Sequence, residues 1–407
     1  MKFTTRLLHG KAVRRYASGS TLPEIVQANA FRYDTAEELE RVFAHTAPGY
    51  SYSRLANPTV SAFEQRINDT EGGISAVAFS SGMSAIFAAL MNFLSYGDEV
   101  IVSSKLYSGT ICLFELLRRF GINARYVNHM IPEEIEPLIS RNTRAIFGEV
   151  LSNPSLEVMD IKNVSAFAHM NNIPLIVDAT TVTPYLVKPI ECGADTVIHS
   201  TTKYINGSGD ALGGVVIGGA GFEWDFDKFT ALGNYRKFGL SAYMMKLRDE
   251  TLENFGCCMS PVTAFLNVIG LETLGLRMER ICANALALAE ALSELPGLQV
   301  NYPLLNESRS LALAQLKGHG GGILTFRAGS KVKAYECINA LKYAAKATSL
   351  GDTRTLVIHP ASAIYRNNAP EQCEAAGVFD DTVRVSVGIE DTSDLVEDFT
   401  RAINTVL

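Results

Sequence analysis

Lys203 closes the segment His199-Ser200-Thr201-Thr202-Lys203, which leads through Tyr204 into Asn206-Gly207-Ser208-Gly209-Asp210 and the apolar run Gly214-Val215-Val216-Ile217-Gly218. A lysine among hydroxyls and apolar neighbours at the end of a buried strand has a lowered amine pKa and can capture an aldehyde as a Schiff base. Upstream, Pro174 to Ala179 reads as another buried strand, with Asp178 at its C-terminal end, where α/β sheets present their chemistry. An aspartate there can keep a pyridine nitrogen protonated, so a lysine and an aspartate on successive strand ends can grip such a ring from both sides. Pyridoxal 5'-phosphate is the aldehyde that needs both groups. Taken alone, Lys203 also reads as a surface lysine in a loop.

A third feature bears on the phosphate. Ser80-Ser81-Gly82-Met83-Ser84 follows the apolar run Ala76 to Phe79 and opens a helical pattern over Ala85 to Leu94. Strand, small residues and helix start together make an anion site, with free amides and the helix dipole aimed at one point. The same residues also serve as an ordinary helix cap.

The elements that must hold these residues are legible in the pattern. Residues from about Thr59 to Gly221 alternate helix-like and strand-like runs, among them Glu99 to Val102, Arg144 to Gly148 and Val197 to His199, separated by amphipathic stretches such as Ile111 to Phe120 and Ile161 to Met170. This predicts an α/β fold with a mostly parallel sheet covered by helices on both faces. From about Pro261 one long helical pattern runs to Leu295 and stops at Pro296-Gly297. Strands over Gly322 to Phe326 and Val383 to Val387 and a last helix from about Ser393 then predict a smaller α+β domain. The expected division is an arm over 1–58, a cofactor domain over 59–260 and a C-terminal domain over 261–407.

With 407 residues and 47% hydrophobic content the chain can bury a sizeable core, and its net charge of −7 argues against a nucleic-acid or anionic-membrane partner. Seven scattered cysteines without a Cys-x-x-Cys spacing suit a reducing compartment and indicate no metal site. Lys2, Arg6, Lys11, Arg14 and Arg15 precede the first acid, Glu24, as in a transit peptide, but no apolar targeting core or membrane-length run appears. A cytoplasmic location is expected.

Nine strings then occur in order: Tyr52-Ser53-Arg54-x-x-Asn57-Pro58-Thr59, Ser81-Gly82-Met83, Leu106-Tyr107-x-Gly109-Thr110, Asn153-Pro154, Asp178, Ser200-x-Thr202-Lys203-Tyr204, Ser349-Leu350-Gly351-Asp352, His359-Pro360-Ala361-Ser362 and Val383-Arg384-x-Ser386-Val387-Gly388. Together they resemble the trans-sulfuration (Cys/Met metabolism) family of pyridoxal-phosphate enzymes, of the aspartate-aminotransferase-like fold type I, over nearly the whole chain. The resemblance implies that Lys203 carries the cofactor and then shuttles protons, and that Tyr107 stacks on the ring, a residue otherwise explained by core packing. It implies phosphate contacts from the Gly82 and Met83 amides and the Ser200 and Thr202 hydroxyls. Tyr52 and Arg54 would complete that site from a neighbouring subunit of a homotetramer. Arg384, on an apolar strand where a structural salt bridge would also explain it, would bind the substrate carboxylate with Asn153 and Ser349. Glu149 reads as an acid behind the site and His359 as a structural hydrogen-bonding residue.

Within the family, Thr348 stands where cystathionine-handling members commonly have glutamate, and Gly109 where methionine γ-lyases typically have cysteine. The strings Gly109-Thr110 and Thr355 to Ser362 most resemble the O-acetylhomoserine sulfhydrylase branch, with departures at Ser108 and at Ala363-Ile364-Tyr365. The expected activity is γ-replacement on an activated homoserine ester by sulfide or another sulfur donor, possible delivery by a sulfur-carrier protein included. Methionine γ-lyase or cystathionine-type activity is the alternative. A nucleotide-binding oxidoreductase lacks its Gly-x-Gly-x-x-Gly helix start here, and a catalytically dead relative is disfavoured by Lys203, Asp178, Tyr107 and Arg384 occurring together.

Overall fold

The computed structural model describes residues 1–10, 13, 16 and 18–407. Seven strands form the larger sheet: β1 (Ser75–Phe79), β2 (Glu99–Ser103), β3 (Asn123–Val127), β4 (Thr143–Glu149), β5 (Leu175–Asp178), β6 (Thr196–His199) and β7 (Gly214–Gly218). Their order is β1-β7-β6-β5-β4-β2-β3, and only β7 runs antiparallel to its neighbours. The central strands are apolar on both faces, as a sheet covered on both sides requires. Val177, Val197 and Val215 enter one core, while Ile176, Ile198 and Val216, one residue out of phase, enter the other.

A second sheet follows in the order β10-β11-β12-β9-β8, built from β8 (Gln299–Asn301), β9 (Ile323–Arg327), β10 (Ala345–Lys346), β11 (Leu356–Ile358) and β12 (Thr382–Ser386). It shares a core with the first: Tyr204 and Ile205, just beyond β6, belong to the same buried cluster as Ile281, Leu324 and Val385. The segment carrying Lys203 is therefore packed from both sheets.

Two local expectations shift. The pattern from Pro261 to Leu295 is two helices, Pro261–Glu272 and Leu274–Ser293, because Thr273 leaves the helical region at φ −105°, ψ 3°. Ser260 caps the first by accepting from Thr263 N–H, with Pro261 at its first position. The helix after β1 spans Gly82–Met91, starting three residues before the expected Ala85; Ser81 and Ser84 close a capping box that fixes the early start. The last helix is Thr392–Asn404.

At the N-terminus, helix Phe3–His9 buries Leu7 and sets Phe3 edge-on to Tyr185 at 5.1 Å. Of the early basic residues, Lys11, Arg14 and Arg15 lie outside the described residues. No helix among the described residues is long and apolar enough to cross a membrane.

Candidate active site

The C-terminal ends of β4, β5 and β6 open onto a cavity of about 220 Å³. Lys203 lines it from the turn after β6, and its Nζ donates to Ser349 Oγ at 3.1 Å. Burial, aided by the positive charge of Arg384, lowers the Lys203 amine to about 8. The lysine thus holds a usable fraction of neutral, nucleophilic amine near neutral pH.

Asp178 lines the same cavity from the end of β5. Thr180 organises this corner: its N–H donates to Asp178 Oδ1 at 2.8 Å, and its hydroxyl accepts from Ser200 N–H at 2.7 Å. Thr180 was not singled out in the sequence, although its position two residues after the aspartate is the spacing of an Asx turn. Burial raises Asp178, partly offset by the Thr180 hydrogen bonds. Its cross-strand partner Glu149 also faces the cavity. Burial and the neighbouring Asp178 raise Glu149, opposed by the hydrogen bonds it accepts from the Tyr107 and Asn153 N–H groups.

Helix Gly82–Met91 aims its start into the cavity, where Gly82 and Met83 are wall residues. Ser84 N–H is taken by Ser81 Oγ at 3.1 Å, which leaves the preceding amides for an anion. Gly82 permits the approach, since a Cβ there would lie 2.5 Å from Ser200 Cβ. Ser200 and Thr202 are also on the wall, but Thr202 Oγ1 is engaged with Gly213, accepting its N–H at 3.0 Å. Tyr107 caps the next helix start and faces the cavity half-exposed. A lysine that can be neutral, a cavity-facing aspartate at the next strand end and a free helix N-terminus together fit pyridoxal phosphate.

Arg384, only 2% exposed, reaches the cavity from β12. Its Nη1 donates to Asn153 Oδ1 at 3.2 Å and its Nη2 to Ser349 O at 2.9 Å, while Nε has no partner among the described residues. Burial lowers the guanidinium to about 10, still charged at neutral pH. Among the described residues it forms no ion pair with a carboxylate, so the structural salt bridge that its sequence context also allowed is not what holds it. Ser349 joins Lys203 and Arg384 through its hydroxyl and carbonyl without itself lining the cavity.

Tyr52 and Arg54 lie apart from this cavity within their own chain. Tyr52 is 40% exposed, and the Arg54 guanidinium sits over its ring at 5.4 Å and donates to Glu253 O. His359 is structural, its ring bonded to Ser362 Oγ at 2.9 Å and to Asp380 O at 2.8 Å.

The family model for Cys/Met metabolism PLP-dependent enzymes matches residues 4–404. The chain belongs to that family. As a member it depends on pyridoxal phosphate. It is similar to the O-acetyl-L-homoserine sulfhydrylase of Corynebacterium glutamicum, at 40% identity over 97% of this chain and 95% of that one. It is 36% identical to the L-methionine gamma-lyase of Fusobacterium nucleatum subsp. polymorphum, covering 99% and 98%. A solved structure from Campylobacter jejuni, assigned as an O-acetylhomoserine (thiol)-lyase and carrying a pyridoxyl-phosphate lysine, superposes with TM-score 0.95 at 33% identity, over 99% of this chain and all of that one.

Proposed function

We propose that the protein replaces the acetyl ester of O-acetyl-L-homoserine with sulfide or another sulfur donor, giving L-homocysteine and acetate in methionine biosynthesis. The observation that carries this reading is Arg384: a buried guanidinium with no carboxylate partner among the described residues, facing the same cavity as Lys203. A guanidinium so placed suits an α-carboxylate as bidentate partner, with Asn153 and Ser349 holding it in orientation. In this reading Lys203, Asp178 and Tyr107 hold the cofactor ring, and Gly82, Met83, Ser200 and Thr202 hold its phosphate.

When bound, pyridoxal phosphate would supply an aldehyde for the substrate amino group and an electron sink for charge developing at Cα. Lys203 Nζ would remove the Cα proton, and its pKa near 8 matches a proton carrier at neutral pH. Once it has delivered the Cα proton to the electron sink, the same amine would be free to remove one from Cβ; acetate would then leave Cγ with its bonding pair and the sulfur nucleophile would bond to Cγ in its place. Lys203 then returns protons to Cβ and Cα. Asp178 keeps the ring nitrogen protonated throughout.

One observation speaks against each alternative, the first against cystathionine-type activity and the second against a methionine γ-lyase. Thr348, an uncharged residue, lines the cavity and offers no carboxylate to the distal ammonium of a long dipolar substrate. A Cβ at Gly109 would lie 2.5 Å from Tyr107 Cε1, so the tyrosine ring occupies the space a cysteine there would need. Tyr52 and Arg54, which do not line their own chain's cavity, are assigned to the phosphate site of a neighbouring subunit in a homotetramer with paired active sites. A cytoplasmic location and a sulfur-carrier partner complete the proposal. Its test is to offer O-acetyl-, O-succinyl- and O-phosphohomoserine with sulfide, and methionine alone, and to identify all products. Homocysteine from the acetyl ester is expected to dominate; 2-oxobutanoate from methionine as the faster product would favour the lyase reading.

A further inference from the structure

The peptide group joining Leu106 to Tyr107 is held at both ends. Its N–H, that of Tyr107, donates to Glu149 Oε1 at 2.6 Å, and its carbonyl, that of Leu106, accepts from the Tyr365 hydroxyl at 2.9 Å. The same two side chains hold Asn153. Its N–H donates to Glu149 Oε2 at 3.2 Å, and its carbonyl lies 3.2 Å from the Tyr365 hydroxyl. One carboxylate thus takes two N–H groups and one phenol spans two carbonyls, across segments more than two hundred residues apart in sequence.

Tyr365 is 1% exposed, and nothing in the chemistry above uses it. It stands in the Ala363-Ile364-Tyr365 departure from the family strings, and Ser108, the other departure, meets the same segment. Ser108 Oγ donates to Ile364 O and lies 2.9 Å from Asn368 Oδ1. A phenol proton pointed at two buried carbonyls has no function in packing that phenylalanine could not supply, and an unmet buried carbonyl is costly.

We propose that Glu149 and Tyr365 form a brace that fixes Tyr107 and Asn153 as one unit, setting the aromatic face that meets the cofactor and the amide that orients Arg384. Both are positioning residues, and the brace rests on the functional reading above. It links the end of β4 to the segment after His359-Pro360, so that a displacement of the smaller sheet reaches both the ring-stacking group and the carboxylate-binding group at once.

The test uses the cofactor-loaded enzyme and three variants. Tyr365→Phe removes only the hydroxyl, Glu149→Gln leaves one acceptor for two N–H groups, and Tyr243→Phe removes a buried hydroxyl that serves Ala89 O elsewhere. Spectroscopic titration with L-norvaline, which has a carboxylate and no leaving group, reads substrate grip without turnover. Visible circular dichroism reads the setting of the bound ring. Both brace variants should keep the cofactor, bind norvaline about 5- to 10-fold more weakly and change the dichroism, as loss of one buried hydrogen bond implies. The double variant should be less impaired than the product of the singles, since both act on one peptide group. Tyr243→Phe should lower the melting temperature only. If Tyr365→Phe and Glu149→Gln behave like Tyr243→Phe, with wild-type norvaline affinity and dichroism, the brace is refuted. Failure of the wild-type enzyme to take up the cofactor or turn over the ester would instead strike the functional reading.

Discussion

Lys203 Nζ rests 3.1 Å from Ser349 Oγ, so the amine at the end of the larger sheet is met by a residue of the C-terminal half of the chain. The same serine's carbonyl accepts from Arg384. Lys203 and Arg384, the proposed nucleophile and carboxylate-binding group, are therefore joined through one residue, and the amine sits in a desolvated, positively biased setting that lowers it to about 8.

That value sets a pH dependence. Below about pH 8 the ammonium form predominates and cannot attack an aldehyde; above it the free amine does. Capture of pyridoxal phosphate by the apoenzyme, followed at its visible absorbance, should accelerate about tenfold per pH unit up to about 8 and then level off. Borohydride should fix the cofactor to Lys203. A rate still climbing steeply toward pH 10.5, the ordinary lysine value, would mean that the amine is not desolvated.

Arg384→Ala should retain cofactor absorbance while raising KM for the homoserine ester by roughly 10- to 100-fold, the worth of a charge-assisted pair. Arg384→Lys should recover only part, since one ammonium cannot reproduce the fork that now reaches Asn153 and Ser349. Unchanged steady-state kinetics in the alanine variant would leave Arg384 a structural residue.

Gly109→Cys should displace the Tyr107 ring, because the new Cβ overlaps Cε1. The expected outcome is a fall of roughly tenfold or more in kcat/KM for the ester, with a changed visible dichroism. Full retention of both would show that Tyr107 has room to move without consequence.

Arg54→Ala and Lys203→Ala should each be severely impaired alone, yet a co-expressed mixed dimer should regain activity. One of its sites would hold both intact residues if Arg54 serves the neighbouring subunit, as a two-fold contact requires. No recovery on mixing would place Arg54 in service to its own chain.

The lysine, the aspartate and the helix start were legible because each is announced locally, by an apolar strand that ends in a polar residue or by small residues before a helix. His359 is likewise legible as a hydrogen-bonding residue. The break at Thr273 was not visible, since the apolar pattern continues through it and only the backbone angles change. The freedom of Arg384 from a carboxylate and the double grip of Tyr365 were hidden for another reason. Their partners Asn153 and Leu106 lie far away in sequence, and only the packing of the two sheets brings them together.

Turnover of O-acetylhomoserine and sulfide in deuterium oxide tests the central claim most directly, because Lys203 is assigned proton transfers at two carbons and its amine exchanges with solvent. The account predicts homocysteine carrying deuterium at both Cα and Cβ. Homocysteine with protium retained at both positions would mean direct displacement at Cγ, and would contradict it.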